Sequence, residues 1–171
     1  MIFEKVSFDT FCDQVWKQGF HDTANELESF YEDFNLPVRS TINSVGYDFF
    51  CPLPVTLTLG EMRIVPTGVK CKFFPVQNDY HLKLYVRSSV GIKRGIILIN
   101  GTGIIDADYY NNPTNEGCIL MPLYNLNGSV ESFYPNERIV QGIFEKHFIT
   151  VDDNVINMGK IRTGGVGSTD K

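Results

Sequence analysis

The chain lacks a long apolar run, a basic leader and any close pair of cysteines. No stretch reaches about 18 apolar residues, the length of a membrane span, and Met-Ile-Phe-Glu-Lys-Val has no basic region followed by a long apolar run. Its isolated cysteines have no histidine at ligand spacing, which excludes a zinc knot and a disulfide scaffold: Cys12, Cys51, Cys71 and Cys118. We therefore expect a soluble cytoplasmic protein with buried thiols and no membrane partner.

Positive charge is also scarce. The 15 Lys and Arg residues face 20 Asp and Glu, giving a net charge of -5. Such a surface repels polyanions, so we expect no nucleic-acid partner. A small phosphorylated ligand stays possible, because a bidentate arginine acts over one contact distance. The 171 residues, 43% of them hydrophobic, suffice for one core.

Two stretches near the N-terminus have helical periodicity. One apolar face has the spacing i, i+3, i+4, i+7, i+8: Phe8, Phe11, Cys12, Val15 and Trp16. With Ser7 as N-cap, it predicts a helix over about residues 8–18. A second face predicts a helix that ends before Leu36-Pro37: Ala24, Leu27, Tyr31 and Phe34. We assign both helices to packing and no chemistry.

From about residue 45 the pattern is typical of an all-β protein, with short runs of Val, Ile, Thr, Phe and Tyr between Pro, Gly and Asn-Asp. The predicted strands are Val55 to Leu59, Arg63 to Val65, Gly68 to Phe73, His81 to Val86, Gly95 to Ile99, Gly117 to Leu120 and Ile139 to Thr150. Their close spacing favours a sandwich, jelly roll or closed barrel over a parallel sheet.

Residues 100–110 contain the densest set of candidate chemical groups. Gly101 and Gly103 allow close approach of a ligand to the backbone, and Asp106, Asp108 and Tyr109 follow an Ile-Ile strand. These residues are consistent with a nucleotide site or with a hairpin turn whose aspartates are solvated. The glycines of residues 159–171 likewise fit an anion-binding nest or a plain mobile terminus.

Five short motifs occur in a fixed order. They are Gly46-Tyr47-Asp48, Arg87-Ser88-Ser89, Gly103 to Tyr109, Arg138-Ile139-Val140-Gln141 and Gly164 to Thr169. Their order and spacing over residues 46–169 closely resemble the homotrimeric dUTPase family. The resemblance implies a jelly-roll-like (β-clip) subunit with an added helical segment at about 8–34, a β core at about 45–158 and one domain over 1–158. The tail, 159–171, would close a neighbouring site.

The resemblance also implies an activity. A homotrimer with shared sites would hydrolyse dUTP to dUMP and pyrophosphate, keeping uracil out of DNA and supplying dUMP for thymidylate synthesis. Mg²⁺ would be held by the triphosphate and water, with no direct protein ligand. Asp106 matches the base that activates water, and Arg87 the arginine that braces this carboxylate. Tyr109 matches the ring that rejects a 2′-hydroxyl, while Asn100 and the Gly103 backbone match the uracil-reading positions.

The other matched positions concern the phosphates. Ser88 and Ser89 match the phosphate-contacting turn, Gln141 a water and phosphate contact, and Asp48 a structural brace. Substrate-binding positions are also implied in the fourth motif and the tail: Arg138, Arg162, Val166, Gly167, Ser168 and Thr169. Val166 occupies the place of the phenylalanine that stacks on uracil in most members, so it can cover the base but cannot stack on it.

The sequence leaves three alternatives open. A dCTP deaminase shares the fold and the Arg-Ser-Ser motif, but its catalytic glutamate would fall at Pro122, which cannot transfer a proton. Val166 is the reason to consider a regulatory trimer gated by nucleotide without catalysis. A β-sandwich interaction module would make every motif fortuitous. The segment from Tyr110 to Glu116 is longer than the turn common in the family, so a rearranged pocket is expected beside it.

Overall fold

The computed structural model describes residues 1–74, 79–152 and 164. The strands of this part are β1 (Ile2–Lys5), β2 (Tyr47–Phe50), β3 (Val55–Leu57), β4 (Met62–Pro66), β5 (Val69–Lys72), β6 (Tyr80–Val86), β7 (Ile96–Leu98), β8 (Gly103–Ile105), β9 (Leu120–Asn125), β10 (Glu131–Phe133) and β11 (Arg138–Lys146). The α-helices are α1 (Phe8–Lys17), α2 (Ala24–Asp33) and α3 (Ser88–Arg94).

Both N-terminal helices begin at side-chain caps. Ser7 Oγ accepts a hydrogen bond from Thr10 N at 3.2 Å at the start of α1, as its sequence position predicts. Thr23 and Glu26 form a reciprocal capping box at the start of α2. Both predicted helices are confirmed: α1 ends at Lys17, one residue before its predicted end, and α2 ends at Asp33, before Leu36-Pro37.

The helices share one hydrophobic core with the strands. Phe11 of α1 lies against Phe34 with ring centroids 5.8 Å apart, and both belong to the buried cluster that contains the strand residues. Gly68 lies under these rings with φ +69°, and a Cβ there would be 2.8 Å from Phe34 Cζ. The helical segment therefore packs closely on the turn before β5.

Antiparallel pairing organises the strands into a four-stranded sheet of order β2-β11-β6-β8 and a three-stranded sheet of order β4-β9-β7. The pairs β1-β5 and β3-β10 complete the strand pairing of the described residues. Exposure alternates along β9, as expected for a strand with one face on the core. The prediction of a β-rich protein with a helical addition is confirmed.

Several predicted boundaries are wrong. Gly117 to Leu120 is mostly loop, because Cys118 N donates to Asn115 O at 2.8 Å and β9 begins only at Leu120. The last predicted strand is too long, since β11 ends where its partner β6 begins, at the Lys146–Tyr80 pair. The predicted Arg-Ser-Ser turn is the start of α3. The prediction also omitted β1, β2 and β10.

Candidate active site

A cavity of about 430 Å³ lies at the start of α3, and we call it the Ser88 pocket. Its lining residues come from three of the five sequence motifs and from the loop before β2: Ser40, Ser44, Val45, Gly46, Asp48, Arg87, Ser88, Ser89 and Gln141. Ser88 and Ser89 are exposed at its edge. The pocket therefore combines hydroxyl, amide and guanidinium groups, all of which can donate hydrogen bonds to an anion.

Asp48 is the buried centre of an ionic network below this pocket. Its carboxylate lies 2.9 Å from Arg87 Nε and 3.2 Å from Arg138 Nη1, and it accepts a hydrogen bond from Ser40 Oγ. The Asp48 side chain is only 7% exposed, whereas those of Arg87 and Arg138 are 29% and 43% exposed. One buried carboxylate thus fixes two guanidinium groups at the protein surface.

Gln141 reaches the Ser88 pocket because Gly46 leaves space for it. A Cβ at Gly46 would be 2.8 Å from Gln141 Oε1 and 3.3 Å from Gln141 Cβ. Gln141 is paired with Asp48 in the register of β11 and β2. The first and fourth motifs therefore fit each other side by side, and the glycine is required by this close approach.

A second cavity, which we call the Tyr109 groove, has a volume of about 290 Å³ and is mostly apolar. It is lined by Met62, Ile64, Ile99, Asn100, Gly103, Ile104, Ile105, Tyr109, Leu120 and Pro122. Asn100 is exposed there, whereas Tyr109 is 6% exposed. The groove thus offers an apolar surface for a ring, with the amide of Asn100 and the backbone of Gly103 beside it.

Tyr109 is held by hydrogen bonds at both ends. Its hydroxyl donates to Cys118 O at 3.0 Å and accepts from Asn115 Nδ2 at 2.8 Å. Its backbone carbonyl accepts from Asn112 Nδ2 at 2.9 Å. Sequence reasoning missed Asn112 and Asn115, and the signal that could have found them is the asparagine-rich run directly after the third motif.

The same loop is fastened to the N-terminal segment by Glu116. Its carboxylate accepts hydrogen bonds from Ser7 N at 3.1 Å, Thr10 Oγ1 at 2.7 Å and Lys70 Nζ at 3.0 Å, and also from Ser7 Oγ. Burial opposes ionisation, but these donors prevail and lower the pKa of Glu116 to about 2. Tyr110 adds a hydrogen bond to Glu4 Oε2 at 2.6 Å.

Asp106 is exposed at the end of β8, at the start of a short 3-10 helix, Ala107–Tyr109. Burial lowers the pKa of the adjacent His81, and the Asp106 carboxylate opposes that shift. Ile105 pairs with Leu82, so Asp106 lies opposite His81, six residues before Arg87 along β6. At about 3.3 Å per residue this separates Asp106 from Arg87 by about 20 Å.

One chain therefore does not bring Asp106 to the Ser88 pocket. Arg87 makes its ion pair with Asp48, and the predicted bracing of Asp106 by Arg87 is not formed within the chain.

The tail positions Arg162, Val166, Gly167, Ser168 and Thr169 lie outside the described residues. Within residues 1–74, 79–152 and 164, no three His, Cys, Asp or Glu side chains form a metal site. No helix of this part is long and apolar enough to span a bilayer.

Comparison with known sequences identifies relatives over most of the chain. Residues 32–170 match the dUTPase family. The chain is 42% identical over 135 residues to the deoxyuridine 5′-triphosphate nucleotidohydrolase of Lactococcus lactis, covering 79% of this chain and 87% of the relative. It is 33% identical over 140 residues to the enzyme of the same name from Finegoldia magna, covering 78% and 90%.

Two solved structures share this fold. The crystal structure of dUTPase from Streptococcus mutans has a TM-score of 0.63 and 37% identity, covering 69% of this chain and 93% of that one. The native dUTPase of EIAV, at 20% identity and a TM-score of 0.56, shares the fold over 69% of this chain and 88% of that one. The jelly-roll-like prediction is confirmed, and the chain belongs to the dUTPase family.

Proposed function

We propose that this protein hydrolyses dUTP to dUMP and pyrophosphate in a homotrimer whose sites are shared between chains. The separation of Asp106 from the Ser88 pocket is the observation that carries this proposal. The Tyr109 groove can receive a nucleoside, and the Ser88 pocket can receive phosphates. One nucleotide cannot use the Asp106 and the Ser88 of the same chain, about 20 Å apart, but it can use those of adjacent chains.

In this mechanism Asp106 accepts a proton from the water that attacks the α-phosphorus. Ser88, Ser89 and Gln141 donate hydrogen bonds to phosphate oxygens, and Arg138 adds positive charge beside them. Arg87 is oriented by Asp48 at the Ser88 pocket, and we assign it to the Asp106 of a neighbouring chain. Arg162, Gly167, Ser168 and Thr169 complete the phosphate contacts, and Val166 covers the base.

Nucleoside selection takes place in the Tyr109 groove. Asn100 and the Gly103 backbone read uracil, and the buried Tyr109 ring leaves no room for a 2′-hydroxyl. Pro122 lines the groove at the position where a deaminase would need a glutamate, which supports hydrolysis over deamination. The absence of a carboxylate at that position distinguishes the two reactions.

The donor set of the Ser88 pocket fits phosphate oxygens, so we propose that Mg²⁺ is carried by the triphosphate and water. When bound, Mg²⁺ neutralises phosphate charge during hydrolysis. We also place the protein in a reducing cytoplasm, which agrees with four buried free thiols: Cys12, Cys51, Cys71 and Cys118.

A pyrophosphate-release assay in Mg²⁺ with dUTP, UTP, dCTP and dTTP tests the activity. We expect efficient turnover of dUTP only, with at most a trace from UTP, dCTP and dTTP, and a loss of about 10²–10⁴-fold in Asp106→Asn. Asp108→Asn is the matched control, because it removes a second exposed carboxylate two residues away. Undiminished turnover in Asp106→Asn contradicts the mechanism. Binding of dUTP without pyrophosphate release would support the regulatory alternative, and ammonia release from dCTP the deaminase.

Coexpression of two inactive variants tests the shared site. In random mixed trimers of Asp106→Asn and Ser88→Ala chains, about a quarter of the sites receive an intact Asp106 and an intact Ser88 from different chains. We expect recovery of about that fraction of native activity. A coexpressed mixture as inactive as its parents contradicts a site shared between these two residues.

A further inference from the structure

We infer that Asn115 is a positioning residue that holds the Tyr109 ring in place and thereby sets the preference for deoxyribose over ribose. The inference rests on the proposed function, in which the Tyr109 ring faces the sugar. Discrimination by steric exclusion requires a ring that cannot move, because a small displacement would make room for a 2′-hydroxyl. The stiffness of Tyr109 therefore matters as much as its size.

Tyr109, Asn115 and the Cys118 carbonyl are joined by three mutual hydrogen bonds. Asn115 Nδ2 donates to both Tyr109 Oη and Cys118 O, at 2.8 and 3.2 Å, and Tyr109 Oη donates to the same carbonyl. Asn115 is itself fixed, since its Oδ1 accepts from Asn112 Nδ2 at 2.7 Å and from Gly117 N at 3.1 Å. Asn115 Nδ2 thus holds the hydroxyl end of the Tyr109 ring, while Asn115 Oδ1 fixes the orientation of the amide group.

The loop that contains Asn115 is held to the N-terminal segment by hydrogen bonds at two other residues. Glu116, the next residue, is tied to the start of α1, and Tyr110 is tied to Glu4 in β1. Asn112 and Asn115 are 4% and 5% exposed, so water does not readily replace their hydrogen bonds. A change in Asn115 should therefore be transmitted to the ring rather than absorbed by the loop.

The test replaces Asn115 by the isosteric aspartate. Asn115→Asp loses the Nδ2 donor and places a carboxylate oxygen against Cys118 O. Asn125→Asp is the matched control, because Asn125 is also buried and donates through Nδ2 to two carbonyls, Leu57 O at 3.0 Å and Ser129 O at 2.9 Å. Asn125 does not line the Tyr109 groove.

The readout is the ratio of kcat/KM for dUTP to that for UTP, together with the ratio of calorimetric affinities for dUMP and UMP. We expect both ratios to fall about tenfold in Asn115→Asp, the scale of one buried hydrogen bond, and to stay within about twofold of native in Asn125→Asp. Equal ratios in the two variants would mean a purely structural role and overturn the inference.

Tyr109→Phe keeps the inference testable if Asn115→Asp does not fold. This variant retains the ring and removes the hydroxyl that Asn115 holds, so the same fall in both ratios is expected. An unchanged ratio in Tyr109→Phe overturns the inference. Native protein that prefers dUMP to UMP but does not hydrolyse dUTP would contradict the proposed function. In that case the ratio of dUMP to UMP affinity would still test whether Asn115 positions Tyr109.

Discussion

Glu116 provides a quantitative test of how the N-terminal segment is fastened to the β core. Its pKa falls from an ordinary 4.5 to about 2, against the effect of burial, because Ser7, Thr10 and Lys70 donate to the carboxylate. For a group fully shielded from water, this difference corresponds to about 3 kcal/mol of stability. The Glu116 side chain is 32% exposed, so screening reduces the expected contribution to about 1–2 kcal/mol.

The sign of the pH dependence follows from the lowered pKa. The folded state holds the Glu116 proton less tightly than the unfolded chain, so the stabilisation is complete above a pH of about 4.5 and is lost as the pH falls toward about 2. Glu116→Gln should therefore be less stable than the native protein by about 1–2 kcal/mol at pH 7. At pH 3 that difference should shrink by about half or more.

The assay is urea unfolding at pH 7 and pH 3 at one fixed protein concentration, because association contributes to apparent stability. Glu28→Gln, which changes an exposed carboxylate on α2, is the control and should alter stability by less than about 0.5 kcal/mol. A Glu116→Gln effect that is the same at both pH values, or as small as the control, would refute the reasoning.

Three further predictions concern single sites. Gly117→Ala should lower Tm by about 5–10 °C in a thermal melt, because Gly117 has φ +82° and a Cβ would be 2.6 Å from Tyr109 O. Asp48→Asn should lower the free energy of unfolding by about 2–3 kcal/mol and kcat/KM for dUTP at least about tenfold, since Arg87 and Arg138 lose their shared carboxylate. Burial raises the pKa of three thiols to about 12: Cys51, Cys71 and Cys118. A thiol reagent at pH 8 should label them only after denaturant is added.

The parts of the fold that could be predicted depend on local chemistry. Ser7 and the apolar positions of α1 lie within a few turns of one another, so helical spacing and a cap residue suffice to predict the helix. The Ile104-Ile105 strand is predictable from its β-branched residues. In both cases the residues that determine the element lie close together in the sequence.

The parts that could not be predicted depend on distant partners. β1 forms a strand because Ile2 to Lys5 pair with Val69 to Lys72. The end of β11 is set by where β6 begins. Gly117 to Leu120 has an apolar composition typical of a strand, but Asn115 uses the backbone of Gly117 and Cys118 for a loop. Composition alone does not reveal these competing hydrogen bonds.

The motif positions were predictable by resemblance, but their arrangement was not. Arg87 matches an arginine that braces the catalytic carboxylate, and its partner within the chain is Asp48. The register of β6 and β8 accounts for this, because it places Asp106 and Arg87 at opposite ends of β6. Sequence order says nothing about which chain supplies each group, whereas strand register limits which groups can meet within one.

The sequence departs from the family pattern in two segments, and the structure places these two segments in contact. The N-terminal segment and the long loop from Tyr110 to Glu116 meet where the Glu116 carboxylate accepts from Ser7 and Thr10. The start of α1 needs acceptors for its N–H groups, and the Glu116 carboxylate supplies one to Ser7 N. Because the same loop contains Asn115, which donates to Tyr109, hydrogen bonds connect the start of α1 with the Tyr109 groove through this loop.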